Sequence, residues 1–209
     1  MARCVVFVLL VAVTLPGVPM VRAICTTSIS ADRVAACAFN PLLLLVERSG
    51  WVLSRQNCGE TVGSEAFEVP PIIYFDYTEL EHLYTVVFVA ENIHQSPSDD
   101  TSSTERSFYL QWLVVNIPES SLANGMRYID GDTIVDYLSP VPRSADDDDG
   151  GDVDGQPTRY GFYLYEQVYG TIYPPTPSTR EYFNLDGWIS TIYPVAALCG
   201  PVASIGFGV

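Results

Sequence analysis

Six short runs of β-branched and aromatic residues, each closed off by Pro, Gly or Asp, constrain this chain more than anything else in it. They occupy 42–46, 51–53, 71–77, 83–90, 108–117 and 160–167. Side chains of this kind suit a pleated, half-buried surface, and the residues between them stop it. Polar loops lie between the runs, notably 95–106 and 140–157. Helical patterns are weaker: a turn or more at 28–38, another at 133–138, and a short amphipathic helix over 184–192. No internal repeat is present. The expected fold is mainly β, an antiparallel β-sandwich with a few short peripheral helices.

The N-terminus has the pattern of a secretory signal peptide. Met1-Ala2-Arg3 supplies a short basic segment, residues 4–15 are uncharged and apolar, Pro16-Gly17 breaks any helix, and Val21-Arg22-Ala23 offers a peptidase site. The apolar run is too short for a ~30 Å hydrocarbon core, and no later stretch reaches ~18 apolar residues, so no transmembrane segment is expected. Residues 1–23 are read as the signal peptide and 24–209 as one secreted, extracellular domain. Its 186 residues suffice for a proper core.

Cysteine usage agrees with an oxidising compartment. Cys4 leaves with the signal peptide, and Cys25, Cys37, Cys58 and Cys199 remain as two disulfides with three connectivities. By elimination, Cys25–Cys37 with Cys58–Cys199 is preferred. A zinc site is a poor rival, because there is no CxxC pair and His82 and His94 lie far from any Cys in sequence.

All ten basic residues are Arg, and removal of the signal peptide leaves eight of them against 25 acidic residues. A field of that sign repels nucleic acid and anionic membranes, so no nucleic-acid partner is expected. Disorder is excluded by the 48% apolar content with thirteen Tyr and nine Phe. The one low-complexity stretch, 146–155 (DDDDGGDVDG), has clustered carboxylates. Gly150 falls where a calcium loop needs a third ligand and no Glu closes it, so it is read as a solvated loop.

Catalytic patterns are lacking. Neither His sits beside a Ser or Cys, and there is no G-x-S-x-G, H-E-x-x-H or phosphate-cradling Gly loop. The chain is not expected to be an enzyme or to carry a cofactor, and no metal site is expected.

An ordered series of segments is more informative: 83–89 (LYTVVFV), 113–118 (LVVNIP), 136–142 (DYLSPVP), 158–167 (TRYGFYLYEQ), 183–186 (FNLD) and 200–207 (GPVASIGF). In order and spacing this resembles the phosphatidylethanolamine-binding protein (PEBP) family, over roughly residues 40–207. The resemblance implies a PEBP-like β-sandwich with a small anion pocket at one end. It also implies a role in binding lipid head groups or anions, or in inhibiting kinases or serine proteases.

Carried over position by position, the resemblance implies a ligand site at Ala90, Asn92, His94, Tyr109, Gln111, Pro140, Pro142, Thr158, Arg159 and Tyr160. Several of these depart from the family pattern. The D-P-D-x-P loop reads Ala90-Glu91-Asn92-Ile93-His94, the pocket His is Gln111, and the nearby Trp is Tyr109. G-x-H-R reads Gln156-Pro157-Thr158-Arg159, and G-x-G-P-P reads Ser139-Pro140-Val141-Pro142-Arg143. The family's C-terminal helix has no counterpart before Val209. Were Glu91 to face the site, at ~4 Å and an effective dielectric of ~20 it would oppose a phosphate by about 4 kcal/mol. That exceeds the ~0.5–1.5 kcal/mol that a neutral hydrogen bond returns. Two expectations follow: a secreted binder of a phospholipid head group or small polar ligand through a remodelled pocket, or an extracellular protein-interaction or protease-inhibitor-like protein using the sandwich as scaffold. The signal peptide makes kinase inhibition the family role least expected to transfer.

Overall fold

The computed structural model describes residues 37, 39–94, 105–141, 157–192 and 198–209, with the side chains of 92–94 and 105–107 left aside. The expected signal peptide at 1–23, Cys25, the expected helical segment 28–38 apart from Cys37, most of the 95–106 loop, Pro142 and the acidic stretch 146–155 lie outside the described residues.

The chain forms nine described strands: β1 (Asn40–Pro41), β2 (Leu43–Val46), β3 (Trp51–Leu53), β4 (Ile72–Tyr74), β5 (Leu83–His94), β6 (Glu105–Pro118), β7 (Asp132–Val135), β8 (Arg159–Gln167) and β9 (Leu198–Gly208). Two short helices, α1 (Glu119–Asn124) and α2 (Leu185–Ile189), and one 3₁₀ turn (Ser64–Phe67) accompany them. The larger sheet runs β1-β9-β8-β5-β6-β7 and the smaller β3-β2-β4. Every pairing is antiparallel except β1 with β9. The fold is therefore mainly β, as expected.

The two sheets share one core. Leu44, Val46, Leu53 and Ile73 of the smaller sheet meet Val86, Phe88, Trp112, Phe162 and Ile205 of the larger. The opposite face of the larger sheet is covered too, by Ile172, Phe183, Trp188, Ile189 and Ile192 packed on Val87, Val89, Leu113 and Tyr165. A strand covered on both faces has no polar side to show, which is why β5 reads as a nearly unbroken apolar run rather than an alternation. Asn184 starts α2 by accepting a hydrogen bond from the Gly187 N–H at 3.0 Å, the ordinary role of Asn before a helix.

Two expectations need correction, and one strand is new. Residues 133–138 do not form a helix: Asp132–Val135 is a strand paired with Leu113–Val115, as the β-branched Thr133, Ile134 and Val135 favour. β9 has no clear strand pattern in the sequence because Gly200, Pro201, Gly206 and Gly208 punctuate it. The preferred disulfide pairing is also overturned, since Cys37 is bonded to Cys58 across a Cα–Cα distance of 5.9 Å. Both are held near the end of β9: Asn40 pairs with Ala203, and the Gly59 N–H donates to the Gly206 carbonyl at 2.6 Å. Cys199, seven residues back along β9 from Gly206, is about 23 Å from it at strand rise. It is disulfide-bonded as well.

Candidate functional site

The sheet brings part of the expected site together. Ala90 on β5 lies between Tyr109 on β6 and Tyr160 on β8, in register with both. Ala90 and Tyr160 belong to the core between the sheets, with Tyr109 packed against it. Between Leu110 and Trp112 the register slips, Val89 pairing with Leu110 and Phe88 with Trp112. Gln111 is the extra residue. Such a bulge re-aims a side chain. Here it leaves Gln111 only 5% exposed, with its Oε1 buried and accepting no hydrogen bond.

A strap crosses the sheet at this level. The Leu138 N–H donates to the Gln111 carbonyl at 2.9 Å, which ties the strap to β6. Three residues on, the Val141 N–H donates to the Tyr160 hydroxyl at 3.2 Å, and that hydroxyl donates to the Val141 carbonyl at 3.1 Å, which ties it to β8. Pro140, between these two ties, is buried. Burial raises the Tyr160 phenol's pKa, with the Val141 hydrogen bond acting the other way. Tyr137 enters the same region: its ring stacks on Phe88 at 5.7 Å and meets Trp112 edge-on at 5.6 Å. Its hydroxyl donates to the Phe67 carbonyl at 2.7 Å, and burial raises its pKa strongly.

Other expected residues fall elsewhere. Glu91 and Arg159 are paired across β5 and β8, one step from Ala90 and Tyr160, so alternation sends their side chains to the opposite face. There Arg159 Nη1 and Glu91 Oε2 sit 3.9 Å apart, and Glu91 helps to raise the Tyr163 pKa after burial itself. Glu91 is therefore not aimed at the strap, and its opposition to a phosphate there does not arise. Arg159 leaves the Ala90 face with it. Thr158 uses its carbonyl to accept from the Val209 N–H at 3.0 Å. Asn92 and His94 continue β5 opposite Ser107 and Glu105.

Sequence reasoning missed Arg180. Its Nη1 donates to the Leu110 and Gln111 carbonyls at 3.1 and 3.0 Å, and its Nη2 to the Asp136 carbonyl at 2.9 Å. One guanidinium thus fastens the bulge to the foot of the strap. No local pattern announces contacts made on carbonyls 44 to 70 residues away.

The most specific motif residues serve a different end of the sandwich. Gln167 Oε1 accepts from Thr85 Oγ1 and from the Asn116 N–H, both at 2.8 Å. Its Nε2 donates to Asn116 Oδ1 and to the Gly170 carbonyl. Asn116 Nδ2 donates in turn to Asp132 Oδ2 at 2.7 Å and to the Ile172 carbonyl at 3.0 Å. Asn116 adopts φ 57°, a conformation Asn tolerates better than most residues. These side chains hold four segments together about 17 Å from Ala90, five residues along β5. Nearby, His82 Nδ1 meets Glu166 Oε1. Among the described residues, no three His, Cys, Asp or Glu side chains gather as a metal would require.

No protein-family model and no curated protein sequence matches this chain.

Proposed function

We propose that this protein is an exported, non-enzymatic binder built on a PEBP-like sandwich. Its ligand is a small polar molecule or the head group of a phospholipid, taken where the strap crosses Ala90, Tyr109, Gln111 and Tyr160. The observation that carries the reading is Gln111, a bulged and buried residue whose side-chain Oε1 accepts no hydrogen bond. Leaving such an atom unsatisfied costs about 1–3 kcal/mol, and a ligand donor would recover it. The chain's −15 net charge and the turning away of Arg159 favour a ligand held by hydrogen bonds over one held by a cation. Tyr137 and Tyr160, whose rings pack on Phe88 beside this strap, would supply the aromatic part of the mostly apolar lining usual for small-molecule sites.

Protein purified from culture medium should give a bound species in native mass spectrometry. Calorimetric titration should show saturable binding of phosphoethanolamine, with inorganic phosphate run in parallel to separate the head group from a free anion. Gln111→Leu combined with Tyr160→Phe should weaken binding at least tenfold while the thermal melt stays cooperative. Absence of a bound species and of heat with both probes would sink the pocket reading.

A further inference from the structure

We infer that Tyr77 is a site of tyrosine O-sulfation, acquired on the export route and therefore resting on the secreted reading above. The chain leaves β4 after Tyr74, and Tyr77 stands 62% exposed on the connection to β5, its ring 5.9 Å from that of Phe75. Residues 76–81 read DYTELE. Asp76, Glu79 and Glu81 are all exposed, and the segment is held out as a turn. Glu81 has φ 64°, and the Glu79 N–H donates to the Tyr84 hydroxyl at 2.8 Å. The result is an accessible phenol with three carboxylates within four residues and no Arg among them.

The other exposed tyrosines lack this combination. Tyr173 has no acidic residue within four positions, and Tyr169 has only Glu166. Tyr182 follows Arg180 and Glu181. Tyr128 follows Arg127 and already has its hydroxyl bonded to Asp136 at 3.1 Å. A transferase whose active site must hold a polyanionic sulfate donor is cationic, and it draws an acidic acceptor segment by charge complementarity. The donor is a nucleotide phosphosulfate. The Tyr77 phenolic oxygen forms the new O–S bond, the anhydride S–O bond breaks, and the nucleotide phosphate departs with that electron pair. The phenolic proton passes to a base of the transferase. The product replaces a neutral phenol with a permanent anion bearing acceptor oxygens, a mark that an Arg-rich partner reads.

The test is the full chain expressed in cultured animal cells and recovered from the medium. Peptide mass spectrometry should find a phosphatase-resistant, acid-labile sulfate on Tyr77. It should vanish in Tyr77→Phe, fall several-fold in Asp76→Asn with Glu79→Gln, and persist in Tyr182→Phe. Secreted protein without sulfate on Tyr77, or with phosphate there, overturns the inference while export stands. If the chain stays inside the cells, export fails instead. Transfer from a nucleotide phosphosulfate to the purified folded protein by a tyrosylprotein sulfotransferase then decides, and no label on Tyr77 overturns the inference.

Discussion

At the scale of the residue, the buried phenols set how the protein responds to alkali. Burial raises the pKa of Tyr84, Tyr137, Tyr160, Tyr163 and Tyr165 from their ordinary 10.0. A group whose folded pKa lies above its unfolded value contributes stability that is complete below the unfolded pKa. That contribution is lost as pH rises through the folded value. Stability should therefore hold level to about pH 9 and fall above about pH 10, where the unfolded chain ionises first. Thermal melts monitored by circular dichroism across that range check it, alongside tyrosinate absorbance. Tyrosinate formation at these five positions should coincide with unfolding; their ionisation in a still-folded protein would contradict the assignment. Residue identity was also where the sequence misled. Arg159 is expected in the site and Glu91 lies beside Ala90 in the chain, yet a single step along a strand sends both to the other face.

At the scale of the element, the strap over β5 depends on Arg180. Arg180→Ala removes three hydrogen bonds to the Leu110, Gln111 and Asp136 carbonyls. It should cost about 1.5–3 kcal/mol in urea unfolding, the range for charge-assisted bonds in a half-exposed setting. Arg180→Lys should restore less than half of this, because an ammonium does not reproduce the planar fork. Full rescue by Lys would mean that charge, not geometry, holds the strap. Strands with long β-branched and aromatic runs were legible: β3 was read to the residue, and β5, β6 and β8 were recognised with their ends short of the observed bounds. The helix at 133–138 failed because a four-residue strand and one helical turn share the same local pattern, and only pairing with β6 decides between them. The bulge at Gln111 had no sequence signal, since it exists only as a mismatch with β5.

At the scale of the molecule, the Cys37–Cys58 bond closes a separation of 21 residues around β1–β3. Replacing both with Ala should cost about 3 kcal/mol by loss of the constraint on the unfolded chain. Comparing midpoints of denaturant unfolding measures it. Partial proteolysis without reduction should recover Cys37 and Cys58 in one linked peptide pair; a Cys58–Cys199 pair would contradict the fold. The sandwich was legible because its strands carry their own pattern. The disulfide pairing was not, because it depends on β1 and the segment after β3 converging on the end of β9, a long-range outcome that no spacing records.

β9 has a consequence for how the protein is made. It comes after every other described strand in the sequence, yet it lies inside the larger sheet, between β1 and β8, and supplies Ala203, Ile205 and Phe207 to the shared core. A chain made from its N-terminus delivers this piece after β1–β8. Until it arrives, β8 has a bare edge, β1 has no neighbour, and the gap left by Phe207 beside Phe67 stays open. Closure of the larger sheet and of the shared core therefore waits for residues 198–208, however early β5, β6 and β8 have paired.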